Sequence, residues 1–401
     1  SMANNNKHTG PNVPALRFPE FSGEWSKVLL SSACEINPKT DSLDSQFLYI
    51  DLESVVKGTL AKRQIIEKDG APSRAQRVLK ENDILYQCVR PYQLNNYFFE
   101  GDTIQCVAST GYAQLRTKHN PLYVFHALHT KQFTNQVLER CTGTNYPAIN
   151  SSDLGTVEVP ICSLPEQEKI GSLLALIDSR IKTQSKIIEE LKTLRSGLSE
   201  SLYYDCDSFQ EMSFNDVGEC YSGLSGKSSE DFGSGYPFVP YTNIFANDVI
   251  DENQFEYVQI REDESQNTVH YGDLLMTLSS ETPEEVGIGS VYLGSESHLY
   301  LNSFAFGIHI TRTDLVYPPY LSWLVSTKSF RKFILPFAQG STRYNLQKTD
   351  FMKAKYRFPT LERQKTIYKL LSSYSSKIAN EEKILDLYQF QKQGLLEQMF
   401  I

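Results

Sequence analysis

Apolar residues recur at seven-residue intervals in two stretches of the chain, residues 164–203 and 361–400. In each stretch two such series interleave three or four residues apart, which is the a/d pattern of a coiled-coil helix. The pattern therefore predicts two long helices that pack against each other along one seam. The predicted seam residues are Ile170, Leu174, Ile177, Ile181, Gln184, Ile188, Leu191 and Leu198 in the first stretch, and Ile367, Leu371, Ile378, Glu381, Leu385 and Leu395 in the second.

The two stretches are copies of one another, because moving the first forward by 197 positions superimposes it on the second without a gap. The polar interruptions of the seam coincide as well: Gln184 falls on Glu381, and Arg195 falls on Lys392. Two unrelated amphipathic helices would not share their interruptions. We therefore predict a chain made of two copies of one unit, each ending in a long helix, with pseudo-twofold symmetry.

The symmetry also predicts the register of the two helices. If they run antiparallel, equivalent positions near their middles face each other, and Gln184 meets Glu381 in one buried polar layer. Such a layer fixes register at some cost in stability. The alternative is that both side chains turn to solvent at a loosened seam.

The segments ahead of the long helices share a second pattern, that of short strands separated by turns. Asn82-Asp83-Ile84-Leu85 resembles Gly272-Asp273-Leu274-Leu275, a turn followed by an apolar strand. Each segment continues through a helical pattern, a glycine-centred loop and a last strand that leads to a proline. The predicted fold class is α+β, with two mostly-β domains related by pseudo-twofold symmetry and separated by two long helices that form an antiparallel coiled coil.

These patterns divide the chain into five parts. We expect residues 1–14 to be a disordered tail in which Ser1-Met2 is a cloning remnant ahead of the native start. The mostly-β domains are residues 15–160 and 205–358, the central spacer helix is residues 161–204, and the distal spacer helix is residues 359–401.

Composition limits the class of protein without identifying it. A 40% hydrophobic fraction and 22% charged residues fit packed domains rather than a disordered chain. No apolar run reaches the roughly 18–20 residues of a membrane-spanning helix, and the first residues lack a signal-peptide core, so no membrane association is expected. Seven cysteines without a metal-binding spacing indicate reduced thiols and a cytoplasmic location.

The charge of the chain does not by itself suggest nucleic-acid binding, because the formal net charge is −9. Residues 13–160 hold 15 Lys and Arg against 16 Asp and Glu, whereas residues 205–358 hold 11 against 21. A DNA-binding surface would therefore have to come from local clusters of basic side chains.

The sequence contains no catalytic motif that we can identify. Asp231-Phe232-Gly233-Ser234-Gly235 superficially resembles the adenosylmethionine loop of methyltransferases, but no apolar strand precedes it and no helix follows, so a plain glycine-rich turn is predicted. No phosphate-binding GxxxxGK[ST] loop is present, and the seven histidines have no metal-ligand spacing. We expect a non-catalytic chain with no metal site and no cofactor of its own.

Basic, hydroxyl and aromatic side chains in loops are better candidates for binding, because they suit contacts with phosphates. They lie in a loop-rich basic stretch, after a predicted strand, on a predicted helix and in the loops at Gly143 and Gly340. The alternative for the basic stretch is that it is only a solvated loop. The alternative for the two glycine loops is that they are only structural turns. The candidate DNA-binding residues are Lys57, Arg63, Arg74, Arg77, Arg90, Thr144, Asn145, Tyr146, Lys328, Arg331, Ser341, Thr342, Arg343 and Tyr344, with Arg74, Arg77 and Arg343 the leading ones.

A strand end with a proline, followed by a helix start of the form Leu-x-Glu-Gln, precedes the first long helix at Val159-Pro160 and Leu164-Pro165-Glu166-Gln167. The second copy has Arg357-Phe358-Pro359 and then Leu361-Glu362-Arg363-Gln364, where Arg363 departs from the pattern. With these motifs and the duplication, the chain resembles the specificity (S) subunits of Type I restriction-modification systems. Further marks are Asp83-Ile84-Leu85 with Arg90-Pro91, Asp273-Leu274-Leu275, and the Gly-Ser-Thr-Arg loop at 340–343, for which the first copy has Asn145-Tyr146 in place of Thr342-Arg343.

The resemblance implies two target-recognition domains, each reading half of a split, asymmetric sequence in double-stranded DNA. The helices would form a spacer that docks two methyltransferase (M) subunits, which carry S-adenosylmethionine and methylate N6 of a flipped adenine. Restriction (R) subunits would add cleavage that depends on ATP and Mg. The alternative is a pseudo-twofold scaffold that joins protein partners through its coiled coil and binds no DNA.

Overall fold

A computed structural model of the chain describes residues 12–143, 146–206 and 208–401. Contacts divide the chain into two compact units: unit 1 is Ser1–Ser185 with Lys383–Ile401, and unit 2 is Lys186–Glu382. Each unit thus contains part of both long helices. The finer five-part division stays a prediction.

The predicted disordered tail, residues 1–14, falls mostly outside the described residues, which begin at position 12. At its end, the carbonyl of Asn12 accepts a hydrogen bond from the N–H of Trp25 at 2.9 Å, and Pro14 is buried. The chain is therefore held against unit 1 from this point onward.

Unit 1 is mostly β, with strands that are short because turns interrupt the apolar runs. The strands that the structure describes are β1 (Ser26–Leu29), β2 (Cys34–Ile36), β3 (Gln46–Ile50), β4 (Val55–Val56), β5 (Thr59–Leu60), β6 (Gln64–Glu67), β7 (Ala75–Val78), β8 (Ile84–Gln87), β9 (Tyr97–Phe98), β10 (Cys106–Ser109), β11 (Tyr112–Thr117) and β12 (Glu158–Ile161). The helices are α1 (Leu30–Ala33), α2 (Pro121–Ala127), α3 (Lys131–Arg140), α4 (Ser151–Gly155) and the first long helix, α5 (Leu164–Tyr204), with 3-10 turns at Lys68–Gly70 and Pro91–Gln93.

Unit 2 contains the same kinds of element in nearly the same order. Its described strands are β13 (Phe209–Ser213), β14 (Gly218–Ser222), β15 (Phe232–Val239), β16 (Glu256–Val258), β17 (Leu274–Thr277), β18 (Ser279–Ser280), β19 (Gly289–Val291), β20 (Tyr300–Leu301), β21 (Ala305–Ile310), β22 (Ala338–Gln339), β23 (Tyr344–Leu346) and β24 (Lys355–Pro359). The helices are α6 (Phe214–Val217), α7 (Tyr241–Ala246), α8 (Pro318–Leu324), α9 (Lys328–Ile334), α10 (Lys348–Lys353) and the second long helix, α11 (Leu361–Met399), with 3-10 turns at Ser229–Asp231, Glu252–Gln254, Pro283–Glu285 and Leu335–Phe337.

The two main sheets of each unit are built on similar strand orders. In unit 1 the strand orders are β6-β3-β10-β7 and β2-β11-β8-β9, with β1 paired to β12 and a small hairpin of β4 and β5. In unit 2 they are β16-β15-β20 and β14-β21-β17-β19, with β13 paired to β24 and a third sheet, β18-β23-β22. In each unit one pair is parallel, β3 with β10 and β15 with β20. The predicted duplication of a mostly-β unit is confirmed.

The ungapped part of the repeat is longer than the long helices. Helices α2 and α8 begin 197 positions apart, and so do α3 and α9, α4 and α10, β12 and β24, and α5 and α11. The two copies therefore keep the same spacing from α2 onward, and their insertions lie in the strands before it.

Each long helix begins inside the hydrophobic core of its own unit. Ile170 and Leu174 are buried in the core of unit 1, and Ile367 and Leu371 occupy the same positions in the core of unit 2. Full burial of one such side chain stabilises the fold by about 1.5–3 kcal/mol. The first three turns of each helix are therefore anchored by the domain that precedes them.

The halves of the two long helices run antiparallel within each unit. In unit 1, Ile170 and Leu174 share a core with Met399 and Phe400, while further along α5 the carboxylate of Asp178 meets Lys392. In unit 2, Leu198 and Leu202 pack on the core that contains Ile367 and Leu371. The fourteen predicted seam residues all lie in the described part of the chain, and each is buried or half-buried. The long helices of the predicted fold are thus confirmed.

The predicted polar layer would join two residues of different units. Gln184 belongs to unit 1 and is buried, and Glu381 belongs to unit 2 and is half-buried. Their contact stays a prediction.

The other shared interruption of the seam, Arg195 and Lys392, is explained by contacts inside each unit. Lys392 pairs with Asp178 at 2.5 Å, beside the buried ring of His126. Arg195 donates to the Ser375 hydroxyl at 3.0 Å, and its guanidinium lies 5.4 Å from the ring of Trp323. Asp178 and Ser375 are 197 positions apart, and so are His126 and Trp323. The basic residue at this seam position therefore contacts the other long helix and the adjoining domain in both copies.

A buried glutamine ties each domain to the start of its long helix. The Gln167 side chain donates to the Cys162 carbonyl at 2.7 Å and accepts from the Asn120 N–H at 3.1 Å. In the second copy, Gln364 donates to the carbonyl of Pro359 at 2.8 Å and accepts from the N–H of Tyr317 at 2.8 Å. Both amides bridge the last strand and the residue before a domain helix, which fixes the direction in which the long helix leaves. We call these two side chains the glutamine clamps.

The position before each clamp carries opposite charges in the two copies. Glu166 is buried and forms a two-bond ion pair with Arg17, at 2.7 and 2.9 Å. Its hydrogen bond raises the pKa of Arg17. Arg363 occupies the equivalent place and donates to the carbonyl of Asp205 at 2.9 Å. The departure of the second copy from the sequence pattern therefore has its own local partner.

No helix in residues 12–143, 146–206 or 208–401 combines the length and the apolar character needed to cross a bilayer. Both long helices instead carry charged residues on the faces away from the seam.

We expect replacement of either glutamine clamp by leucine to lower the free energy of unfolding by about 2–4 kcal/mol. Leucine has similar volume but leaves a buried backbone N–H and a buried carbonyl without their partner. Urea unfolding followed by circular dichroism measures the effect for Gln167→Leu and Gln364→Leu. Gln391→Leu is the matched control, because Gln391 is exposed on α11 and its replacement should change stability by less than about 0.5 kcal/mol. Equal stability of clamp and control variants would contradict the assignment.

Candidate functional site

A glycine-centred loop lies in each unit beside the segment that follows the central strand, β8 or β17. In unit 1, Val89 bridges to Ala148, and the N–H of Arg90 donates to the carbonyl of Pro147 at 2.8 Å. In unit 2, β18 pairs with β23, so that Ser280 lies opposite Tyr344. In each unit two segments that are far apart in sequence therefore come together, and in unit 1 both of them carry predicted site residues, Arg90 and Tyr146.

The glycine of the second loop is required by its geometry. Gly340 has a φ of 149°, and a Cβ atom there would lie 2.0 Å from the carbonyl oxygen of Arg343. Its partner in the first copy, Gly143, has a φ of 91°. Both glycines therefore hold a turn that a residue with a side chain would strain.

An arginine stacks on an exposed aromatic ring next to each loop. The Arg90 guanidinium lies 4.5 Å from the ring of Tyr146, which is 63% exposed. The Arg343 guanidinium lies 5.6 Å from the ring of Phe304, which is 54% exposed. Such a pair presents a cation and an aromatic face together, which suits contact with phosphates and with bases. The loop supplies the aromatic ring in unit 1 and the arginine in unit 2.

The other predicted loop residues have different surroundings. Thr144 and Asn145 lie outside the described residues. Ser341 and Thr342 are exposed, whereas Tyr344 is half-buried in β23.

The basic residues predicted in the first half are spread over several elements. Lys57 is at the tip of the β4–β5 hairpin, where its φ of 49° and the φ of 75° at Gly58 form a left-handed turn. Arg63 is exposed and pairs with Asp102 at 2.7 Å, and this hydrogen bond raises its pKa. Both side chains remain accessible, but Arg63 would have to exchange its carboxylate partner for a phosphate.

Arg74 and Arg77 lie at the edge strand β7. Arg74 is exposed just before the strand, and its carbonyl accepts from the N–H of Thr110. Arg77 is half-buried, its Nε finds no hydrogen-bond partner among the described residues, and burial lowers its pKa. A partly buried guanidinium with an unused donor is suited to an incoming acceptor.

Arg331 is held by its own unit. Its guanidinium donates to the carbonyls of Gly287, Val286 and Glu284 at 2.7, 2.6 and 2.7 Å, and burial lowers its pKa. These bonds use three of its five N–H groups. The geometry favours a structural role, closing the 284–287 turn onto α9. Lys328 is exposed on the same helix, and its backbone N–H donates to the carboxylate of Glu200.

An exposed aromatic cluster on β15 and β16 was missed in the sequence. Phe232, Tyr236 and Tyr257 are 42%, 44% and 49% exposed on this antiparallel strand pair. The Asp231–Gly235 stretch is not the plain turn that the sequence predicts, because it runs into β15, where Phe232 and Tyr236 both pair with Val258 around a bulge. Alternating aromatic and glycine residues were the available signal. Exposed aromatic rings of this kind can stack against bases.

The chain matches the profile of one protein family twice. The family is described as the Type I restriction modification DNA specificity domain, and the matched residues are 23–193 and 207–387. These two ranges cover most of the sequence and each contains one mostly-β domain and most of one long helix.

Individual relatives are distant. The chain is 25% identical over 173 residues to the Type I restriction enzyme HindI specificity subunit of Haemophilus influenzae, covering 42% of this chain and 35% of that one. It is 22% identical over 283 residues to the MjaVIII specificity subunit of Methanocaldococcus jannaschii, covering 65% of each. The matches thus span between a third and two thirds of the lengths of these relatives.

The fold also matches a solved structure, the S subunit of a Type I restriction-modification system from M. genitalium. The TM-score is 0.59 at 15% identity, and the match covers 97% of this chain and 99% of the other. At this identity the likeness concerns the fold.

We expect Arg331→Ala to lower the free energy of unfolding by about 2–4 kcal/mol, because three carbonyls lose charged donors. Lys332→Ala is the control, since Lys332 is exposed one residue further along α9. Thermal and urea unfolding measure both. If Arg331→Ala proves as stable as the control, the guanidinium is available for other contacts and its structural role is wrong.

Proposed function

The chain belongs to the Type I restriction-modification DNA specificity family, and from this premise we propose that it selects the DNA sequence on which a Type I complex acts. The observation that carries the proposal is the double match to the specificity domain, one in each half of the chain. In this role the chain is a non-catalytic subunit, and methyl transfer and cleavage belong to its partners.

We propose that the two units read different half-sites of one bipartite DNA sequence. The scaffold is duplicated, but the side chains of the equivalent glycine loops differ: Tyr146 of unit 1, stacked on Arg90, occupies the position that Arg343, stacked on Phe304, occupies in unit 2. Side chains that differ at matched positions recognise different base edges. Unequal half-sites make the complete target asymmetric.

We propose that the long helices set the distance between the half-sites. Helix α5 has 41 residues and is about 60 Å long. Recognition domains at the two ends of such a spacer would reach half-sites centred roughly one duplex turn apart.

We propose further that the long helices dock two M subunits, and that R subunits join the assembly. Exposed apolar side chains on α11 support the proposal of a protein partner. Leu387 and Phe390 are 66% and 77% exposed, and together with Ile384 they follow each other at three-residue intervals along the helix. Neighbouring exposed apolar side chains on one helix face are typical of a protein interaction site. S-adenosylmethionine, ATP and Mg would be bound by these partners. The complex would work in the cytoplasm, which suits the seven unbonded cysteines.

We expect the N6-methyladenine positions in cells that carry this chain and its M partner to show one split motif. It should consist of two short, different half-sites separated by a constant number of unspecified base pairs. Long-read sequencing of the methylated genome, with a strain lacking the chain as control, gives the motif directly. A continuous or palindromic motif would contradict the assignment of one half-site to each unit.

We expect Arg343→Ala to weaken binding to every duplex and to reduce the slope of log K against log salt by about 1, as for the loss of one phosphate contact. Fluorescence anisotropy with the M subunit present, over a salt series, measures this. Arg312→Ala is the matched control, because Arg312 is exposed in the same unit and already pairs with Asp314. Unchanged affinity and slope for Arg343→Ala would make the Gly340 loop purely structural, and absence of DNA binding by the unmodified chain would favour the scaffold alternative.

A further inference from the structure

Each unit buries one aspartate at the start of its central strand. Asp83 precedes β8 and Asp273 precedes β17, and both are fully buried. In unit 1 the guanidinium of Arg116 donates to the Asp83 carboxylate at 2.8 and 2.7 Å, and the side chain of Gln114 donates at 2.7 Å. The hydrogen bond raises the pKa of Arg116. The buried negative charge of Asp83 is therefore balanced by a permanent cation.

In unit 2 the same positions carry imidazoles. Ile84 pairs with Leu115 in unit 1, and Leu274 pairs with Ile308 in unit 2. The next residues along β11 and β21, Arg116 and His309, are therefore counterparts. His270 lies three residues before its aspartate, as Lys80 does in unit 1, and in both cases the backbone N–H donates to the carboxylate. Both basic side chains of unit 1 are thus replaced by histidine.

The Asp273 carboxylate keeps its hydrogen bonds but loses its permanent counter-charge. Nδ1 of His309 lies 2.7 Å from one oxygen, and the Tyr221 hydroxyl donates to the other at 2.5 Å. Gly307 makes room for the tyrosine, since a Cβ there would lie 2.1 Å from the Tyr221 ring. Among the described residues, the basic side chains within 4.0 Å of this carboxylate are the two histidines, without a lysine or arginine. A buried carboxylate without a paired cation is costly.

We propose that His270, Asp273 and His309 form a binding site for a divalent transition-metal ion of the Zn²⁺ class. Their ligand atoms all lie within 4.8 Å of one another. Ligands around tetrahedral zinc are separated by about 3.4 Å, so shifts of the two imidazoles, which are 60% and 45% exposed, complete the geometry.

The donor set selects the class of ion. Two imidazole nitrogens and one carboxylate oxygen suit Zn²⁺, Co²⁺ or Ni²⁺ rather than Mg²⁺ or Ca²⁺, which prefer oxygen ligands. Water would fill the fourth position. The ion supplies the positive charge that Arg116 supplies in unit 1, and it joins the turn before β17 to β21. Protons compete with a metal ion for imidazole nitrogens, so binding at such a site weakens as the pH falls.

The test is metal binding by the full chain after treatment with a chelator, measured by equilibrium dialysis against Zn²⁺ at neutral pH. We expect one bound ion that is lost, or at least about tenfold weaker, in His270→Gln and in His309→Arg. His309→Arg reproduces the arrangement of unit 1, so Asp273 keeps a partner and the fold is retained. His298→Gln is the control, because this histidine is exposed on the same unit and outside the site.

Free thiols are the competing ligands, and Cys220 is exposed next to Tyr221. Co²⁺ distinguishes them, because a thiolate complex shows sulfur-to-metal charge-transfer absorption and the proposed site does not. Circular dichroism checks folding, and His270→Gln carries the test if His309→Arg fails to fold. Equal Zn²⁺ binding by the unmodified chain and both variants overturns the proposal. So does a thiolate charge-transfer band in the Co²⁺ spectrum of the unmodified chain that both variants retain. Absence of binding by the unmodified chain also overturns it.

Discussion

The join between each domain and its long helix is the constraint on which the rest of the molecule depends. A long helix is a straight, stiff element whose direction is set where it begins. A small rotation at its start therefore displaces its far end by many ångströms. The glutamine clamps, Gln167 and Gln364, remove this freedom by bonding to backbone groups on two other elements. The buried residues near the start of each helix, Ile170 and Leu174 on α5 and Ile367 and Leu371 on α11, then position the seam.

The duplication preserves those groups that act on the backbone and varies those that face solvent. The clamps, the glycines at 143 and 340 and the buried aspartates recur, because each satisfies a backbone or core requirement that both copies share. An arginine and an aromatic ring are paired beside both glycine loops, but the loop supplies the ring in unit 1 and the arginine in unit 2. This is the pattern expected where one scaffold supports two different recognition surfaces, since surface side chains are free to change without loss of the fold.

The surroundings of Asp83 and Asp273 show how far divergence reaches into the interior. Replacing Arg116 by His309 removes a permanent charge, and the change of Gln114 to Gly307 makes room for Tyr221, whose hydroxyl takes over the lost donor. Hydrogen bonds to the carboxylate are restored, whereas the charge balance is not. A carboxylate can accept from many kinds of neutral donor, but only a cation neutralises it.

The long helices, the seam, the duplication and the mostly-β character of the units could be predicted from the sequence, because they follow from periodicity and from spacing along the chain. The sequence also located the glycine loops, since the conformation of a turn is a local property. Only the tertiary structure shows which of the candidate side chains are accessible for binding and which are held by contacts inside their own unit. It assigned Arg331 to three carbonyls, placed the Asp231–Gly235 stretch in a bulged strand, set Tyr146 on Arg90, and brought His270 and His309 to one carboxylate. These pairings join residues from separate elements, and their distances depend on strand register and packing, which a one-dimensional pattern does not contain.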